Sequence, residues 1–144
     1  MNDTWLLGFS DGEACFSAVI LTIKQKQQRA RIRYLVSQKF EQNKDVLLII
    51  KDLFNNKGTV YNHYQYDCFT YEIGGLKNCH NIICPYFDSY YSNNHDYLYG
   101  FQTKKSISYG RWKTVLLKCI QGRNVYIVVL HTTIYTYPLF YCCV

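Results

Sequence analysis

The sequence predicts a single α+β domain in the order helix, strand, strand, helix, strand, strand, helix. Three observations predict it. An apolar helix near the start ends in two carboxylates split by a glycine, Asp11-Gly12-Glu13. Residues 29–39 alternate with a period of two, the signature of a strand with one buried face. Residues 44–54 carry apolar side chains at a period of 3.6, the signature of a helix with one buried stripe.

The chain has 144 residues, enough for one domain with its own core. Hydrophobic residues make up 49% and charged residues 18%, which excludes an intrinsically disordered class. Sixteen Lys and Arg against ten Asp and Glu leave a net charge of +6, compatible with a polyanionic partner such as nucleic acid. Seven cysteines lack the paired C-x-x-C spacing of a zinc site. With no signal peptide expected before the first helix, they read as buried apolar residues in a reducing compartment.

The first helix starts after Asp3 or Thr4 and runs to Asp11 or Gly12, with Gly12 suited to a left-handed end. Gly8 and Gly12 are four apart and share a face, which lets a second backbone approach closely. The helix is therefore expected to pair with a copy of itself and to bring Glu13 beside its symmetry mate as a metal centre.

Residues 15–24 read as a β-branched first strand. In the second strand Arg29, Arg31 and Arg33 share one face, with Ala30, Ile32 and Tyr34 on the other. Three guanidiniums and no carboxylate on one face of that strand favour phosphate and base contacts over a merely solvated edge. Asn43 is the expected N-cap of the next helix, and residues 55–58 are its stop. Strands over 59–64 and 66–73 follow, with Tyr61 and His63 on one face as exposed polar contacts. A helix over residues 76–84 is expected to stop at Pro85. Beyond it lie a short helix and a loop. Lys104 and Lys105 precede the last helix, capped by Ser106 or Ser108, with Trp112, Val115, Leu116 and Cys119 on its buried side.

Residues 1–123 form the expected domain. Residues 124–144 carry no charge apart from His131 and read as an apolar tail or as read-through. They barely reach the ~20 apolar residues of a membrane span and contain Thr132, Thr133, Thr136 and Pro138, so no membrane partner is expected.

Four segments in this order resemble the LAGLIDADG homing endonucleases, intron-encoded DNA-cutting enzymes of organelles and microbes. Leu6-Leu7-Gly8-Phe9-Ser10-Asp11-Gly12-Glu13-Ala14 aligns with the name motif. Ser37-Gln38-Lys39 matches a frequent family triplet, and Glu72-Ile73-Gly74-Gly75-Leu76 resembles the passage from the fourth strand into a helix. Lys104-Lys105 ahead of Tyr109 and Trp112 resembles the basic site before the last helix.

The resemblance implies an αββαββα fold whose saddle-shaped antiparallel sheet sits in the DNA major groove, with helices on one face. It implies a hydrolase that makes a site-specific double-strand break, uses Mg2+ or Mn2+ and supports intron mobility. One motif copy implies a homodimer, with Leu7, Gly8, Asp11 and Gly12 at the interface. Glu13 and the carbonyl of Ala14 match the metal-binding positions. Gln38 matches the residue that positions water, and Lys105, ahead of Lys104, matches the catalytic basic residue. Asp11 matches a structural acid. Lys24, Arg29, Arg31, Arg33, Lys39, Tyr61 and His63 are the expected DNA contacts. Strand-one positions Val19, Leu21 and Ile23 offer little to a base edge. Leu7 stands where the family favours Ala, and Ala14 where it favours Gly. Two further readings stay open: an RNA-binding maturase that helps splice its own intron RNA, and a degenerate, non-cutting DNA binder. The implied setting is an organelle, a mitochondrion ahead of a chloroplast.

Overall fold

The computed structural model describes residues 4–23, 27–92 and 100–122. Helix α1 (Thr4–Glu13) passes directly into strand β1 (Ala14–Ile23), followed by β2 (Gln27–Lys39). A 3-10 turn (Glu41–Asn43) leads into α2 (Lys44–Leu53). Strands β3 (Thr59–His63) and β4 (Cys68–Gly74) come next. A helical run in three segments follows: α3 (Leu76–Asn78), a π-helical turn (Cys79–Ile83) and α4 (Cys84–Ser92). Helix α5 (Lys105–Ile120) closes the described chain. The strands form one antiparallel sheet in the order β1-β2-β4-β3.

Alternation decides which face is buried. Phe16 pairs with Tyr34, Tyr34 with Ile73, and Val36 with Tyr71, and all five side chains are buried. Residues directly opposite in an antiparallel pair share a face, so these positions form one apolar surface. The helices cover it with Leu6 and Leu7, with Leu47, Ile50 and Phe54, and with Phe87, Trp112 and Leu116. Phe16 is the hub, with the rings of Tyr34, Phe87, Phe101, Tyr109 and Trp112 centred 5.0–5.5 Å away.

Several boundaries differ from the sequence expectation. Gly12 is helical rather than left-handed, because the β1–β2 ladder, beginning at Ala14 opposite Val36, takes up the chain without a cap. Asn43 does not cap α2: its amide donates back to the Lys39 carbonyl at 2.7 Å, and the 3-10 turn already occupies the helix start. The β3–β4 turn is wider than expected, with Asp67 at φ 45°, so β4 begins at Cys68. The helix also continues through Pro85 to Ser92. The π turn bonds the Cys84 N–H to the Cys79 carbonyl and starts a fresh helical register, which puts Pro85 in a first turn where no N–H is required. At the last helix, Ser106 and Ser108 lie inside the first turn, and Thr103 Oγ1 receives the Lys105 N–H at 3.1 Å. Gly58 sits at φ 85°, where an added Cβ would come 2.6 Å from the Glu72 carbonyl, so only glycine fits.

Candidate active site and nucleic-acid face

The last turn of α1 is fixed from two sides. Ser10 Oγ and the Tyr34 hydroxyl share a buried 2.7 Å hydrogen bond that ties the helix to the sheet. Burial raises the Tyr34 pKa, so its proton stays in place. One residue on, Asp11 reaches the segment before α5. Its Oδ2 accepts the Gln102 N–H at 3.1 Å, and its Oδ1 accepts the Thr103 N–H at 3.3 Å and the Thr103 hydroxyl at 2.7 Å. Thr103 in turn receives the Lys105 N–H. Asp11 therefore sets where α5 begins.

That placement brings four predicted groups together. The Lys105 ammonium donates to the Ala14 carbonyl. Glu13 is exposed at the end of α1, and its Oε2 faces Gln38 Nε2 at 3.5 Å. Gln38 lies across from Phe69, with the opposite parity to Ser37 and Lys39. The period of two thus turns Gln38 away from the open sheet face. The Glu13 carboxylate and Ala14 carbonyl are hard oxygen donors of the kind Mg2+ accepts alongside waters and phosphate oxygens. Among the described residues there is no group of three or more His, Cys, Asp and Glu that could hold a metal alone. The residues fit a cation completed by groups from outside this chain.

Gly8 and Gly12 are exposed, and a Cβ added at either meets nothing within 4 Å. The rings of Trp5 and Phe9, half-buried and 6.0 Å apart, lie on the same helix. Leu7, expected at the seam, faces the other way. It is 8% exposed and packs in the chain's own core, because one residue turns a helix by about 100° away from Gly8. Asp11 is likewise committed to its own chain through Gln102 and Thr103.

The sheet face away from the core carries Ser17, Val19 and Leu21 on β1 opposite Arg33, Arg31 and Arg29 on β2. Leu35 pairs with Glu72 and Glu72 with Thr59; Ser37 pairs with Thr70 and Thr70 with Tyr61; Lys39 pairs with Cys68 and Cys68 with His63. Arg29 and Lys39 are exposed. The rings of Tyr61 and His63 meet edge-on at 5.0 Å. Lys24 lies outside the described residues, as does the tail over 124–144.

The β2 face carries no carboxylate of its own, but β4 brings one beside its arginines. Glu72 accepts from Arg31 and Arg33 at 3.3 Å each and from the Tyr61 hydroxyl at 3.0 Å. Arg33 is buried, at 8% exposed. Glu72 was missed because the local pattern of β2 does not say which strand lies beside it. Thr103 was missed for a similar reason, 92 residues from its partner Asp11.

No helix among the described residues is long and apolar enough to cross a membrane. Cys68, Cys79 and Cys84 are buried. Burial pushes Cys79 up to about 12 and Cys84 up to about 11.

The four-stranded antiparallel sheet with its acid-tipped helix defines an α+β domain with Glu13, Gln38 and Lys105 clustered beside a basic face. The sequence profile of the LAGLIDADG endonucleases matches residues 6–116, and the chain belongs to that family. An uncharacterized cox1 intron-2 37.2 kDa protein of Schizosaccharomyces pombe is 31% identical over 125 residues, 87% of this chain and 34% of its own. The probable intron-encoded endonuclease 2 of Neurospora crassa is 28% identical over 95 residues, 62% of this chain and 20% of its own. Among solved structures, the LAGLIDADG homing endonuclease I-GzeII in complex with its DNA target superposes with a TM-score of 0.71 at 24% identity, covering 90% of this chain and 41% of that one. I-SmaMI bound to cleaved DNA superposes with a TM-score of 0.70 at 22% identity, covering 84% of this chain and 37% of that one. The fold is thus that of the LAGLIDADG homing endonucleases, and the chain spans about a third or less of the curated relatives' length.

Proposed function

We propose that the chain is a site-specific double-strand DNA endonuclease that works with a divalent metal as a homodimer and supports intron mobility. The observation that carries this reading is the convergence of Glu13, the Ala14 carbonyl, Gln38 and Lys105 at the end of α1, next to an open Gly8/Gly12 face. A second copy seated on that face would bring its Glu13 beside the first, and the paired carboxylates would need cations between them.

Mg2+, or Mn2+ in its place, would supply charge neutralisation and an activated water to phosphodiester hydrolysis when bound. Glu13 and the Ala14 carbonyl would hold it. The Gln38 amide, within reach of Glu13, orients the attacking water. The Lys105 ammonium, at the Ala14 carbonyl, would stabilise the negative charge that grows on a scissile phosphate brought to the site. The basic sheet face with Arg29, Arg31, Lys39 and His63 receives the DNA. The named intron relatives support an organellar setting, a mitochondrion ahead of a chloroplast.

The test is incubation with Mg2+ and a plasmid carrying the uninterrupted host-gene junction. Wild type should linearise it, and Glu13→Gln should not. Absence of cutting by wild type, together with tight binding of the intron RNA, would replace this reading with a splicing maturase.

A further inference from the structure

We infer that Glu72 is a specificity-determining positioning residue: it withdraws Arg33 from the DNA and holds Arg31 ready to read a base pair. The inference rests on the open sheet face being the DNA interface. Its ground is a four-residue network drawn from three strands. Glu72 Oε1 takes Arg31 Nη2, and Oε2 takes both Arg33 Nη1 and the Tyr61 hydroxyl. Glu72 is the one acidic side chain among the described residues of that face.

The two arginines are left in different states. Arg33 is nine-tenths buried, with Nη1 on Glu72 and Nη2 facing Ser17 Oγ at 3.5 Å. Its Nε has no hydrogen-bond partner among the described residues. It has little left to offer a ligand. The Arg31 side chain is 53% exposed, and its recorded bond uses one of five N–H groups. A free arginine on a flexible stem meets any phosphate. One anchored through one nitrogen keeps a planar fork for the two acceptors of a guanine edge. Tyr61 steadies the carboxylate from the far side. Burial and its bond to Glu72 push the Tyr61 phenol up to about 12, so it remains a donor at working pH. Arg31, Arg33 and Glu72 line an open cleft of about 480 Å³ with Thr59, Gly74 and Asn78.

Neutralising Glu72 therefore has a definite signature. It adds a cation's worth of unspecific attraction and removes the geometry that reads sequence. Loss of a side chain that merely held the sheet together would change neither the base preference nor the salt dependence.

The experiment incubates full-length protein with a pool of duplexes randomised across the site, sequences the bound fraction, and measures binding of an unselected duplex against salt. Wild type should enrich a base preference in each half of the site. Glu72→Gln should lose that preference at the position under Arg31. Its log affinity against log salt should steepen by about 0.9 for each phosphate an arginine newly reaches. Arg31→Lys should lose the same preference with the slope unchanged. If Glu72→Gln does not fold, Tyr61→Phe, which frees one side of the carboxylate, should weaken the same preference. A wild type that enriches a preference, with Glu72→Gln or Tyr61→Phe matching it in preference and slope, overturns the inference alone. A wild type that binds no duplex overturns the DNA-interface reading and this inference with it.

Discussion

Two carboxylates two residues apart do different work. Asp11 spends both oxygens on Gln102 and Thr103, while Glu13 stays exposed with Gln38 nearby. Asp11→Asn replaces one acceptor oxygen by a donor that faces an N–H. It should cost about 1 kcal/mol of stability and slow cleavage by shifting Lys105, with DNA binding retained. Urea titration and single-turnover cleavage check the two halves. Ser10 and Tyr34 make a sharper pair, because their bond is buried. Removing either hydroxyl strands the other, at about 1–3 kcal/mol each, and the double variant Ser10→Ala with Tyr34→Phe should cost less than the sum. Denaturant midpoints of the four proteins decide it. Glu13 and Gln38 were legible in the sequence because short motifs mark them. The Asp11–Thr103 and Arg31–Glu72 links were not, because each joins residues far apart in the chain and depends on a packing or a strand order that no local pattern encodes.

Among the elements, α1 carries the most specific expectation. Gly8 is exposed, and an added Cβ there meets nothing within 4 Å. Gly8→Ala should raise the stability of the isolated chain by about 0.8–1 kcal/mol, the helix-propensity difference. The bulkier Gly8→Leu should keep the chain folded but abolish association, as read by sedimentation. Association that survives Gly8→Leu would place the interface elsewhere. Helix α1 and the alternation of β2 were legible because each has a clean period. The passage through Pro85 was not, because proline ordinarily ends a helix, and only the π turn before it supplies a register that tolerates the missing N–H. Leu7 packs into the core of its own chain, because neighbouring residues on a helix face different ways.

Across the whole molecule, burial of thiols links stability to alkaline pH. Cys79 and Cys84 keep their protons in the folded chain up to about 12 and 11, whereas in the unfolded chain they ionise near the ordinary thiol value of 9.0. Below pH 9 both states are protonated and the stability is fully present. Above it the unfolded state binds fewer protons, so stability should fall as pH rises from 9 towards 12. A melting series over that range checks the direction, and Cys84→Ala should flatten it. The larger organisation, a basic sheet face on one side and an acid-tipped helix with an open glycine face beside it, matches the order of motifs in the sequence. The most direct test of the account is co-expression of wild type with Glu13→Gln, followed by incubation of the purified mixture with supercoiled target plasmid and Mg2+. If each protomer of a dimer cuts one strand, mixed dimers should leave nicked circles as a major product, peaking at equal expression. Linear product that falls in simple proportion to the wild-type fraction, with no nicked circles, would contradict it.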